Sequence, residues 1–228
     1  MQMGIMFDMD NTLLQSRINF SAMREDLIRY LLDSNIGTPA IYEQQLTPAQ
    51  VIETGKRLLN GEPAQPQVVE HMFEIVTKHE TKGMRNVQLE DGVKQGLALL
   101  KRRGYILAVV TNNAYAAACL ALQKTDILPF LDIVIGRDQM EALKPYPSGL
   151  LVVKDRYPEV NRWIMLGDSW IDGKAAQLAG VGFVAYKGDR SRLCEQGVCP
   201  VSYVAHFTQF VTWLETWVKK EEPPHDDK

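Results

Sequence analysis

Five short apolar runs, 4–9, 106–111, 132–136, 163–167 and 182–186, constrain the fold of this chain more than any other feature. They lack strict alternation. Near-continuous runs such as ILAVV and WIML suit strands covered on both faces, as in a parallel sheet. Before and between the last four, apolar residues recur every three or four positions at about 93–103, 114–123, 148–156 and 171–179, the spacing of amphipathic helices. Strand, helix, strand in succession predicts a doubly wound α/β sheet.

The stretch 16–89 breaks this rhythm. It has no strand pattern and is too long for an unstructured loop in a compact domain, so it is expected to be a separate helical insert. One helix carries Phe20, Met23, Leu27, Leu31 and Leu32 on one face. Another has Thr47 as N-cap, Pro48 in the first helical position and Gly61 just past its end. A third, 67–78, groups Val69, Met72, Phe73 and Val76. These stripes need one another for burial, which predicts an antiparallel bundle. A final helix, 208–219, offers Phe210, Trp213, Leu214 and Trp217 to the core, and the residues after it, EEPPHDDK, read as disordered. The expected division is a core of 1–15 and 90–220, an insert of 16–89 and a tail of 221–228.

A net charge of −3 leaves no broad basic surface for nucleic acid. The cluster Lys101-Arg102-Arg103 ends a helix, where cations complement the dipole. Three cysteines without zinc-site or C-x-x-C spacing imply no disulfide framework and suit a reducing, cytoplasmic setting. No window approaches ~18 consecutive apolar residues, so neither export nor a membrane span is expected. P-loop, G-x-G-x-x-G and H-E-x-x-H patterns are absent, and His71 and His206 read as structural.

Chemistry concentrates where the strands end. GIMFDMDNTLL closes the first strand on Asp8 and Asp10, which alternation sends the same way, with Asn11-Thr12 supplying the turn. An ionised pair there is costly without a cation or a shared proton. ILAVVTNN ends the second strand on Thr111 and Asn112, WIMLGDS ends the fourth on Asp168 and Ser169 with Asp172 nearby, and Lys144-Pro145 follows the third. In a parallel sheet these loops open on one edge, where ligands bind. Singly each residue admits a plainer role: a strand-end hydroxyl, a surface lysine, or helix-capping aspartates.

As an ordered set, these residues resemble the haloacid dehalogenase superfamily, specifically its helical-capped phosphatase branch that includes phosphoglycolate phosphatase-like enzymes. The motifs are D-x-D-x-T at 8–12, the threonine Thr111, K-P-x-P at 144–147 and G-D-S-x-x-D at 167–172. The resemblance implies a Rossmann-like core under a cap formed by the insert. It implies Asp8 as nucleophile, Asp10 as general acid and base, and Thr111, the Asn112 amide and Lys144 as phosphate-binding groups. Magnesium is then held by Asp8, the Asp10 carbonyl and Asp168, with Asp172 binding directly or through a water; oxygen ligands suit such a hard cation. The expected partner is a small phosphorylated metabolite, with no nucleic acid or membrane.

Asp10 disfavours dehalogenase relatives, which typically lack an acid at this place, and phosphonate-cleaving relatives, for which a cap lysine such as Lys56 forms an imine. A sugar phosphomutase and a non-catalytic phosphometabolite-binding protein stay open as alternatives. Trp170 and Gly173 depart from residues often found around the last motif. Arg17, Arg24, Lys56 and Arg57 are candidates for a second anion site, each with solvated helix charge as its plainer reading.

Overall fold

The computed structural model describes residues 2–221. Strand β1 (Met3–Phe7) is followed by a two-residue β2 (Leu14–Gln15), then α1 (Phe20–Asp33), α2 (Pro48–Leu58), α3 (Gln65–Gly83) and β3 (Gln88–Leu89). The remainder alternates: α4 (Val93–Arg102), β4 (Ile106–Val110), α5 (Tyr115–Lys124), β5 (Ile133–Ile135), α6 (Ser148–Arg156), β6 (Arg162–Gly167), α7 (Trp170–Leu178), β7 (Gly182–Tyr186), α8 (Arg190–Glu195), β8 (Ser202–Val204) and α9 (Phe207–Glu221). Six strands form one parallel sheet in the order β5-β4-β1-β6-β7-β8.

The expected doubly wound α/β sheet is present, with a sixth strand, β8, at one edge. Strand side chains alternate between two cores. Ile5, Phe7, Leu107, Val109, Leu166 and Val184 face one, with residues of α4 and α9; Met6, Ala108, Val110, Met165 and Ala185 face the other, with residues of α6 and α7. Burial on both faces explains why the runs are continuous rather than alternating. After β5 the chain returns to the other side of β1, creating a switch point at the carboxyl end of β1.

The insert carries α1, α2 and α3, which pack on one another. Thr47 caps α2 through a box with Gln50, Pro48 occupies its first turn, and Gly61 beyond it takes φ +83°. Three expectations need correction. Phe20 is exposed, because it opens α1 directly after the cap Asn19, and Ile28 fills the buried stripe instead. Helix α3 extends to Gly83, its buried stripe being Val68, Met72, Val76, Glu80 and Gly83 while Val69 and Phe73 stay half-buried. The 16–89 stretch is also not strand-free: Gln88–Leu89 pairs antiparallel with Leu14–Gln15 where the chain leaves and rejoins the sheet.

Helix α9 docks as expected through Phe210 and Leu214, but Phe207 and Val211 complete the contact, and Trp213 and Trp217 stack on each other at its margin. Glu221, expected in the tail, belongs to α9, and residues 222–228 lie outside the described residues. Phe207 is fully buried with its ring 5.9 Å from Phe7. Phe207→Ala is therefore expected to cost about 3–5 kcal/mol of stability, measured by urea unfolding, because an aromatic cavity beneath the sheet cannot collapse easily.

Candidate functional site

Asp8 lies just past β1, and its N–H still donates to the Leu166 carbonyl of β6. Strand geometry thus persists far enough to place Asp8 and Asp10 on one side, with Met9 buried between them. Asn11 takes φ +57°, and the Leu13 and Leu14 amides return to the Met9 carbonyl, closing the turn.

Lys144 reaches this point from the loop after β5. Its Nζ donates to Asp8 Oδ1 at 2.6 Å and to Asp172 Oδ1 at 2.7 Å, in almost complete burial. Asn112 holds the lysine backbone, accepting from Lys144 N at 2.8 Å and donating to Lys144 O at 3.0 Å. Thr111 is buried at the end of β4, where its hydroxyl accepts the Asn113 N–H at 3.2 Å. Asp8, Asp168 and Asp172 bring one carboxylate oxygen each within 4.8 Å of one another.

Asp172 caps a helix, the plainer role weighed for it, and also pairs with Lys144. Its Oδ2 accepts from Ser169 N at 3.2 Å and Ser169 Oγ at 2.8 Å as the box at the start of α7, while Oδ1 meets Lys144. Close approach makes this geometry possible, since a Cβ on Gly167 would lie 2.5 Å from the Asp172 Cβ.

The electrostatics are those of crowded, buried carboxylates. Burial pushes Asp8 up to about 7; Lys144 pulls it down, while Asp172 and Asp10 add to the rise. Asp168 is raised by burial and then by Asp8 and Asp172. Burial works against the Lys144 ammonium, but Asp172 and Asp8 outweigh it and hold its pKa above the usual value. Asp10 rises to about 6 through burial, opposed by Ser16 and Asn113 and assisted by Glu80. Neither Ser16 Oγ nor Asp10 Oδ1 completes a hydrogen bond of good geometry, so the Asn113 bond is the firmer restraint.

A cavity of about 720 Å³ separates this edge from the inserted helices. Asp8, Asp10, Thr111, Asn112, Lys144, Asp168 and Asp172 all line it. Of the four candidate cations for a second anion site, Arg24 lines it, with Nη2 donating to the Tyr42 and Gln44 carbonyls at 3.0 and 2.8 Å. Lys56 is tied to Glu53 at 2.8 Å, and Arg17 and Arg57 are exposed away from the cavity wall. His71 lies against Tyr30 on the inserted helices and His206 on the surface, neither in the cavity lining.

Three site residues escaped the sequence reading. Asn113 donates to Asp10 Oδ2 at 2.8 Å. Arg137, after β5, pairs with Glu80 of α3 at 2.7 and 3.3 Å, both side chains being buried. A signal existed for Glu80: it continues the four-residue spacing of Val68, Met72 and Val76, a carboxylate on an apolar stripe.

The profile of the haloacid dehalogenase-like hydrolases matches residues 5–186. The chain belongs to this family. Among curated relatives of this haloacid dehalogenase-like hydrolase, the phosphoglycolate phosphatase of Nitrosospira multiformis is 28% identical over 182 residues, covering 78% of this chain and 79% of its own. Its fold is shared by a haloacid dehalogenase-like hydrolase from Bacteroides fragilis, with a TM-score of 0.68 at 20% identity over 92% of this chain and 100% of the other. A Thermotoga maritima protein described as a beta-phosphoglucomutase has a TM-score of 0.60 at 19% identity, over 94% and 99% of the two chains. Within this haloacid dehalogenase-like hydrolase, the unusual Gly173 has a packing reason. A Cβ there would stand 2.4 Å from Val198 and 2.7 Å from the Phe183 ring.

Proposed function

We propose that this hydrolase is a magnesium-dependent phosphatase that hydrolyses a small phosphorylated metabolite through an aspartyl-phosphate on Asp8, with residues 16–89 acting as a cap over the site. The observation that carries the reading is the convergence of Asp8, Asp168 and Asp172, with Lys144 bridging Asp8 and Asp172 and Asp10 beside them on a separate hydrogen bond.

The donor set fits magnesium. Three clustered carboxylates share one ammonium, which pairs with Asp8 and Asp172, an excess of negative charge that raises Asp8 and Asp168 and that a hard divalent cation relieves. Asp8 and Asp168, with the Asp10 carbonyl, would hold the ion. Asp172 already spends both oxygens on Lys144 and Ser169, which suits a contact through water. When bound, magnesium neutralises phosphoryl and carboxylate charge so that the two can approach.

The chain's own groups then divide the work. An Asp8 oxygen attacks phosphorus as the bond to the alcohol breaks, and Asp10 gives its proton to the leaving oxygen. Lys144 and Thr111 hold charge on the phosphoryl oxygens. In the second step water attacks phosphorus, Asp10 takes the water's proton, and the bond to Asp8 breaks to release phosphate. Burial, which pushes Asp10 up to about 6, suits it to both transfers.

Among the described residues no helix is long and apolar enough to cross a membrane. The free Cys119, Cys194 and Cys199 suit the reducing, cytoplasmic setting assigned here.

A panel of phosphorylated metabolites with added magnesium tests the reading by phosphate release. Activity is expected to vanish in excess chelator and return with magnesium. Asp168→Ala is expected to raise the magnesium concentration needed while leaving the melting temperature nearly unchanged. Full turnover in metal-free buffer overturns the assignment. Transfer of label to a sugar without phosphate release identifies a mutase instead, and ligand binding without turnover a binding protein.

A further inference from the structure

Arg137 occupies a junction that the proposed chemistry does not use. Its guanidinium pairs with Glu80 at 2.7 and 3.3 Å, donates to Thr77 Oγ1 at 3.1 Å and lies 5.0 Å from the Phe73 ring centroid, so three residues of α3 converge on it. On the other side, Arg137 Nη1 donates to the Asn112 carbonyl at 3.2 Å and Arg137 N to the Asn113 carbonyl at 2.8 Å. Those two asparagines are the ones whose side chains hold Lys144 and Asp10.

A buried ion pair is a poor source of stability, since desolvation offsets most of its attraction; its strength is geometric. A planar guanidinium engaged in several directions fixes its neighbours relative to one another, which lysine cannot reproduce. From this arrangement we infer that Arg137 is a positioning residue: it ties the 112–113 loop, and through it Asp10 and Lys144, to the position of α3. This rests on the phosphatase reading above. Its consequence is that the catalytic groups are aligned when α3 sits against the core and lose alignment when α3 moves away.

The double variant Glu80→Met/Arg137→Met separates alignment from folding, because replacing a buried ion pair with apolar groups of similar volume is often neutral for stability. A melting temperature near wild type is expected together with a fall in kcat of about 10²-fold, the scale of a misplaced catalytic group, and a smaller change in KM. Arg137→Lys is expected to restore only part of kcat, and amide hydrogen exchange at 111–113 should speed up in the double variant without substrate. A folded double variant with wild-type kcat and wild-type exchange at 111–113 overturns the inference, as does a kcat loss that follows melting temperature alone across Arg137→Lys, Glu80→Gln and the double variant. If wild type releases phosphate from no substrate, the phosphatase reading has failed instead, and the exchange rates still decide whether Arg137 holds the loop.

Discussion

Asp8→Asn is expected to eliminate turnover and leave the protein folded. An amide is a poor nucleophile, and loss of the attacking group in a covalent mechanism costs on the order of 10⁶-fold in kcat. The fold should tolerate the change for an electrostatic reason. Burial and two neighbouring aspartates already push Asp8 up to about 7, so a neutral group of the same shape removes repulsion while its oxygen keeps accepting from Lys144 Nζ. Lys144 retains Asp172 as a partner. The melting temperature should therefore stay level or rise. Rapid-quench reactions with labelled substrate, followed by peptide mapping, should find label on Asp8 in wild type and none in the variant. Normal hydrolysis by the variant, or label on another residue, removes the covalent mechanism assigned here.

Asp10→Asn is expected to slow hydrolysis of esters with poor leaving groups by roughly 10²–10⁴-fold, the range of general acid–base catalysis. The local structure should survive, because the new amide can turn its oxygen toward Asn113 Nδ2, which now donates to Asp10 Oδ2 at 2.8 Å. Esters with good leaving groups need less protonation, so their first step should suffer less. Breakdown of the aspartyl-phosphate should still slow, since the proposed mechanism has the same residue activate water. Phosphate should accordingly accumulate on Asp8 in this variant, visible as a burst followed by slow release. Equal slowing for all leaving groups with no accumulation contradicts the double role.

The sequence by itself determined those features whose physics is local. Strands buried on both faces must be continuously apolar, and the runs around Phe7, Val109 and Leu166 locate three central strands of the sheet. Alternation at a strand end is likewise local, so Asp8 and Asp10 could be placed on one side before any tertiary contact was known. Thr47 and Pro48 announce the start of α2 for the same reason, a cap being satisfied within one turn. Tertiary structure decided what depends on partners far along the chain. Lys144 meets Asp8 across 136 positions, Asn113 meets Asp10 across 103, and Arg137 meets Glu80 across 57. The third of these also explains the misjudged length of α3. Its apolar rhythm stops at Val76, and a carboxylate at the next stripe position reads as the end of a buried face. Glu80 can remain buried only because a guanidinium from another segment compensates its charge, and the compensating partner is not a property of the helix in which Glu80 stands.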